Sequence, residues 1–356
     1  MKNLFVVLMF FFLINWQTFS HTGEVSKPAI SIGNDGNTMP GDPVFANNTN
    51  QKKGSDLVRI SKKNHVHKLN INNKPCTSVA DGTRLVFECW DALEGRSKEY
   101  FENKTPHSKI FPNANPATGP VFIEGAMPGD ALEIEIHDIR LYKSGFINLH
   151  KANFFDSDEQ ETVHVENNIV GGQMVYNGRN IPVEPMVGVI GTGGFEEIYT
   201  QEVGDNGGNM DTRIIKKGSK VLLPVSVEGA LLAIGDVHAV MGDGEVNGMG
   251  FEIGAEVEVT VRVRKDLKIQ RPMIINADRI ACIDSDPDIL TAKDQVLKDM
   301  GKYLVNVCGF SSTDASAVMS FYGNLRFCQV VNPQKTVRME IEKRYLELFE
   351  YKTLPF

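Results

Sequence analysis

From about residue 57 onward the chain alternates apolar and polar positions with a period of two. Leu132, Ile134 and Ile136 interleave with Glu133, Glu135 and His137, and Val257, Val259, Val261 and Val263 interleave with Glu258, Thr260 and Arg262. That pattern predicts strands with one buried and one wet face. Further strands are predicted in TRLVFECW, GPVFIEG, MVGVIG, KVLLPVSV, ALLAIGDV and KTVRMEI, separated by Gly, Pro and Asn. The body, residues 57–276, is therefore expected to be mainly β, built as a sandwich or barrel-like arrangement.

The period changes near the C-terminus. In DPDILTAKDQVLKDMGKYLVNVCGF, the residues Ile289, Ala292, Val296, Leu297, Met300, Leu304 and Val307 recur every three or four positions after Asp286-Pro287, which predicts a long amphipathic helix of about five turns at most. A shorter helix is predicted in STDASAVMSFYG, capped by Ser312 or Thr313 and stopped at Gly323. With the strands LRFCQVVN and KTVRMEIEK beside them, residues 277–350 should form a smaller α+β part of the same unit.

The first residues break the strand pattern. Lys2 followed by the apolar run Leu4–Ile14 and by Thr18-Phe19-Ser20 reads as an export signal over 1–20, giving a secreted or periplasmic protein that is free of the membrane once cleaved. Residues 21–56, rich in Gly, Pro, Asn, Ser and Lys, read as a disordered or extended linker. A net charge of −8 and the lack of a basic run exclude a nucleic-acid footprint. Export would permit disulfides among Cys76, Cys89, Cys282, Cys308 and Cys328, although buried thiols acting as small hydrophobes explain the odd set equally well. None of the five stands beside a His or Lys, which disfavours a thiolate nucleophile. Asn47-Asn48-Thr49 and Asn103-Lys104-Thr105 match the glycosylation pattern.

Candidate chemistry concentrates in GDVHAVMGDGEV, residues 235–246. Strand alternation would put Asp236 and His238 on one face, the Gly242-Asp243-Gly244 turn would reverse the chain, and Glu245 would return towards the pair as the next strand began. A carboxylate and imidazole set suits a cation such as zinc. By spacing alone, a solvated Asp-Gly hairpin with an exposed histidine is the stronger reading. VGDNGGNMDTR, with Asp205, Asn206, Asn209 and Asp211, lacks EF-hand spacing and by composition is a surface loop. GVIGTGGFEE lacks a phosphate-loop pattern but permits close backbone approach. His65 and His67 in HVHKL share a strand face; such a pair can share a metal, although a plain surface pair is the default. There is no G-x-S-x-G elbow and no S-x-x-K start.

Taken together and in order, HVHKL, GTRLVFECWDA, NPATGPVFIEGAMPGDALEIEI, PMVGVIGTGG, GGNMDTRIIKKGSKVLLPV, GALLAIGDVHAVMGDGEVNGMGFEI and NLRFCQVVNPQKTVRMEI resemble the acetamidase/formamidase family. The resemblance implies a β-dominated fold with a smaller α+β part. It also implies hydrolysis of a small amide to ammonia and a carboxylic acid, and a divalent metal, commonly zinc, at the polar pocket. On that basis His238, Asp236 and Asp211 are the expected metal ligands, zinc being preferred and calcium the alternative. Glu245, Asp243 and Asn209 are the expected catalytic groups, with Glu245 as base, and Gly207, Gly208 and Met241 the expected substrate contacts, the two glycines through backbone N–H groups at an oxyanion. Met241 stands where relatives usually carry glutamine, which favours a larger or less polar acyl group. The expected partner is a small amide, and a homodimer or higher homo-oligomer is compatible with the chain. The rival class is a non-catalytic exported binding protein that holds a divalent cation or a small polar ligand.

Overall fold

The computed structural model describes residues 57–150 and 162–349; the export signal, the 21–56 linker and the Asn47 sequon lie outside the described residues. Strands form where alternation predicts them: Arg84–Cys89, Ala117–Ile123, Ala131–His150, Met186–Gly191, Lys220–Pro224, Leu232–His238, Glu252–Arg264 and Lys335–Glu342. Glu252–Arg264 runs antiparallel between Arg84–Cys89 and Ala131–His150. Its Val257, Val259 and Val261 pack with Phe87, Leu132, Ile134 and Val221 in the principal core.

The other face of this strand departs from the wet face predicted for it. Glu256 and Glu258 are buried. Arg140 donates to Glu256 from Nε at 3.1 Å and to Glu258 from Nη1 at 2.8 Å, while Arg59 and Arg84 pair with Glu256 and Glu258 respectively. A central strand has a neighbour on each edge, so Arg84 and Arg140 from those neighbours, and Arg59 from the strand beyond Arg84–Cys89, lie across it, and their aliphatic stems exclude water while their heads neutralise the carboxylates.

Backbone pairing continues without a break into the C-terminal part. Lys220–Pro224 pairs with Met273–Ile275, which pairs with Arg279–Asp286, which pairs in turn with Lys335–Glu342. The helix Ile289–Asn306 covers this extension. Asp288 caps it by accepting from Leu290 N at 3.2 Å, and its Ala292, Val296, Met300 and Leu304 are buried against Cys282, Met339 and Ile341 in a second core. The spacing that predicts the helix is thus the spacing that packs it. The shorter helix is Ser312–Tyr322. Its cap is Ser311, not Ser312 or Thr313, because Ser311 Oγ accepts from Asp314 N at 3.0 Å. All five cysteines are free, and four are buried. No helix among the described residues is long and apolar enough to cross a membrane.

The C-terminal strands also hold the loop that follows Leu232–His238. Buried Arg338 reaches into it, donating from Nη1 to Asp243 Oδ1 at 2.9 Å and from Nη2 to Asp243 Oδ2 at 2.8 Å, while its Nε donates to Glu340 at 3.1 Å. Beside this fork Gly244 N donates to Cys328 O at 2.9 Å, and Val330 N donates to Gly244 O at 3.1 Å. Asp243→Ala would leave a buried guanidinium short of its bidentate partner, so unfolding in urea should show a loss of about 3 kcal/mol. An unchanged midpoint would mean that the fork contributes nothing to holding the loop.

Candidate active site

Four strand segments bring five ionisable side chains together. Leu232–His238 pairs with Met186–Gly191, setting Met186 opposite His238 and Val189 opposite Gly235, and Met186–Gly191 pairs on its other edge with Gly207–Asn209. His238 also stands directly opposite Glu252 at the start of the central strand. Asp236 and His238 therefore lie between the segment leading to Asp211 and the strand beginning at Glu252. Glu245 enters from the loop pinned by Arg338. All five are buried, none more than 6% exposed.

The geometry is that of acceptors facing one another. His238 Nε2 lies 3.1 Å from Glu252 Oε1 and 3.8 Å from Asp236 Oδ2, and Nδ1 lies 3.9 Å from Asp211 Oδ1. Ligand atoms of Asp211, His238 and Glu245, and separately those of Asp236, His238 and Glu252, lie within 4.8 Å of one another. Both oxygens of Asp211, Asp236 Oδ1, Glu252 Oε2 and both nitrogens of His238 have no aligned hydrogen-bond partner. Buried polar groups are almost always satisfied. Asn115 supplies an amide donor, from Nδ2 to Asp236 Oδ2 at 2.9 Å.

Glycines make the convergence possible. A Cβ at Gly188 would meet Asp211 Oδ1 at 2.6 Å and Asp236 Oδ2 at 2.7 Å, and one at Gly250 would meet His238 Cγ at 2.6 Å. The backbone is bent to fit as well: Asp211, Asp236 and Glu245 have φ of 42°, 54° and 46°. These are left-handed conformations that cost of order 1–3 kcal/mol each in a residue with a side chain.

Crowding carboxylates out of water shifts every member. Burial, then the charge of Glu252, pushes Asp236 up to about 8. Burial pushes Glu245 up to about 7. Burial, then Glu245 and Asp236, lifts Asp211 well above the carboxylate range, and burial also raises Glu252. Burial alone would lower His238, but Glu252 and Asp236 lift it well above the usual imidazole range. The set therefore holds protons near neutrality unless another positive charge takes their place.

Several sequence-derived roles change. Asp243 does not join the cluster, because its carboxylate is engaged by Arg338. Glu245 does not begin the next strand, which starts at Glu252, because the glycines and Asn247 of EVNGMG prolong the loop. Gly207 and Gly208 sit in a ladder between Val203–Gly204 and Ile190–Gly191, flanked by strands on both edges rather than opening an oxyanion pocket. Asn209 occupies the same strand, with Nδ2 3.5 Å from Gln201 O. Met241 is buried in the loop between His238 and Glu245. The sequence reading missed Glu252; its signal was an acidic residue opening an alternating strand straight after the histidine loop. A thiolate nucleophile finds no support, since burial pushes Cys89 up to about 12 and Cys308 up to about 11.

Residues 191–332 match the model of the Acetamidase/Formamidase family. The predicted acetamidase/formamidase of the thermophile Thermoanaerobacter tengcongensis superposes with a TM-score of 0.78 at 32% identity, over 84% of this chain and 100% of that one. The chain belongs to the acetamidase/formamidase family. The acetamidase structure from Bacillus halodurans agrees, with a TM-score of 0.74 at 36% identity over 82% of this chain and 99% of that one. A Schizosaccharomyces pombe protein described only provisionally as a formamidase is 25% identical over 268 residues, 56% of this chain and 64% of that protein's length. The Mycolicibacterium smegmatis acetamidase is 44% identical over 62 residues, 17% of this chain and 15% of its own length.

Two outcomes test this geometry. Gly188→Ala should displace Asp211 and Asp236 and lower the midpoint of urea unfolding, with an unchanged far-ultraviolet circular dichroism spectrum; an unchanged midpoint would show that the strand tolerates the methyl. The second concerns pH. Asp236 titrates near 3.8 when unperturbed and near 8 in the fold. Between those values the folded chain keeps a proton that the unfolded chain has lost, so the cation-free protein should lose stability as pH rises from about 5 to about 8.

Proposed function

We propose that this protein is an exported amidohydrolase that cleaves a small linear amide to ammonia and a carboxylic acid. The observation that carries the reading is the buried set Asp211, Asp236, His238, Glu245 and Glu252, with six donor or acceptor atoms left unsatisfied, in a chain of the acetamidase/formamidase family. Export rests on the N-terminal signal pattern of residues 1–20.

A divalent cation fits the donor set, because an excess of buried carboxylates around one imidazole lacks positive charge and several of its oxygens lack donors. Asp236, Glu252 and His238 Nε2 would hold it, because Asp211, the third ligand expected from the sequence, faces the opposite ring nitrogen, and the imidazole favours zinc over calcium. When bound, the cation would supply Lewis acidity to an amide carbonyl and to a water.

The chain's own residues account for the proton transfers. Hydrolysis needs a base for the water proton and an acid for the nitrogen, since an amide anion is a very poor leaving group. Glu245, lifted to about 7 and carried on a loop, has the affinity to take the first proton and return it to nitrogen. Asp211, 3.9 Å from His238 Nδ1, adds negative charge on the other side of the ring. The burial of the cluster suits a small substrate such as acetamide. Met241, in the same loop as Glu245, favours an acyl methyl or ethyl over the bare hydrogen of formamide.

Ammonia release from formamide, acetamide and propionamide, with and without chelator, tests the reading. Chelation should abolish turnover and zinc should restore it. Glu245→Gln should retain zinc and lose at least about 100-fold in kcat, the range for a proton-transfer group. Undiminished turnover in Glu245→Gln would remove the base role, and absence of turnover on every amide would remove the enzyme reading.

A further inference from the structure

Outside the buried cluster, a second convergence of ligand atoms stands on a different part of the chain. We propose that His65, His67 and Glu94 form a separate site for a zinc-like divalent transition ion, one that ties down the segment between Glu94 and Asn115.

The local sequence sets the pair. His65 and His67 are two residues apart about the strand His65–Val66, which is paired with Ala117–Thr118, so both rings lie on one side with their centroids 5.1 Å apart. Each ring is oriented by a backbone carbonyl. His65 Nδ1 is 2.9 Å from Lys62 O, and His67 Nδ1 is 3.4 Å from Ala114 O. A carbonyl only accepts, so an N–H at Nδ1 is the donor in each ring, and Nε2 is the nitrogen left to meet an ion. That is the arrangement in which an outer hydrogen bond fixes the tautomer of a metal-ligating histidine.

Both Nε2 atoms then face one carboxylate oxygen. Glu94 Oε1 lies 3.2 Å from His65 Nε2 and 3.5 Å from His67 Nε2. Its other oxygen is held by Arg96 Nη2 at 3.1 Å, and the Glu94 backbone is left-handed, with φ of 55°. Three acceptors thus meet with their ligand atoms within 4.8 Å of one another. Two imidazoles and one carboxylate are a zinc donor set that leaves a fourth position open, here to solvent, since the three side chains are about one-quarter exposed. Imidazole donors disfavour calcium.

The site has a structural consequence. Asn115 N donates to Ala92 O at 2.8 Å, so the segment from Glu94 to Asn115 leaves and returns at one place. Ala114 O, which accepts from His67, also accepts from Thr200 Oγ1 at 3.3 Å and from Gln201 Nε2. The next residue, Asn115, is the amide donor to Asp236. An ion at His65, His67 and Glu94 would fix the start of the segment whose end meets the buried carboxylates.

Zinc stoichiometry of the full chain decides the matter. After zinc loading and gel filtration, wild type should retain one more equivalent than His65→Ala, than His67→Ala and than the double variant. Glu94→Gln should weaken that equivalent at least about tenfold, no less than the loss of an outer-shell partner costs a metal site. The difference is read whether or not the buried cluster binds metal, so failure here and failure of the amidohydrolase reading are distinguishable. Equal stoichiometry in wild type and in the folded variants would reduce the trio to a histidine–glutamate ion pair and overturn the proposal. Should the variants not fold, peptide mapping of wild type after diethylpyrocarbonate treatment serves instead: zinc should protect His65 and His67, and equal modification with and without zinc overturns the proposal.

Discussion

Electrostatic frustration around His238 is the constraint on which the rest of the structure depends. Asp211, Asp236, Glu245 and Glu252 are withdrawn from water around a single imidazole, and an unpaired buried charge is among the most costly features a fold can carry. Protons relieve it in part, which is why burial and mutual repulsion raise each carboxylate, Asp236 to about 8 and Glu245 to about 7. A divalent cation would relieve it more completely. The surrounding architecture serves to prevent the set from relaxing: strand pairing fixes His238 opposite Glu252, and the missing side chain of Gly188 leaves the carboxylates their space.

One strand contains both solutions to burying an acid. Glu256 and Glu258 are covered by Arg59, Arg84 and Arg140 and form a structural ladder. Among the described residues Glu252, at the start of that strand, meets His238 and other acids and no arginine. The contrast separates a carboxylate that holds the sheet together from one kept short of positive charge. Asp243 and Glu245, two residues apart, divide in the same way. Arg338 neutralises Asp243 and thereby anchors the loop, leaving Glu245 to face the cluster with its proton affinity near neutrality. The C-terminal part contributes through that anchor rather than through a ligand of its own.

Legibility in the sequence followed the range of the interactions. Alternation at Val257, Val259 and Val261 and the three-four spacing from Ile289 to Leu304 are local properties, and both elements form where those patterns predict. The wet face expected on the central strand failed because the arginines covering it come from other strands. Ser311 rather than Ser312 caps the short helix, a one-residue shift that only backbone geometry resolves. In the candidate site, Asp211, Asp236, His238 and Glu245 were legible as unusual residues in unusual patterns, whereas Glu252 was masked by an ordinary strand alternation.

By itself the sequence determined the strands, the long helix and, through ordered motifs from HVHKL to NLRFCQVV, the family. Each of these depends on neighbours within a few residues or on the order of segments. Tertiary structure decided which acids are neutralised and which are not: Asp243 goes to Arg338, 95 residues away, Glu252 goes to His238, and the pair His65 and His67 goes to Glu94. The physical reason is that charge compensation in a buried site is a property of three-dimensional proximity. A carboxylate reads the same along the chain whether a guanidinium or another carboxylate faces it in the fold.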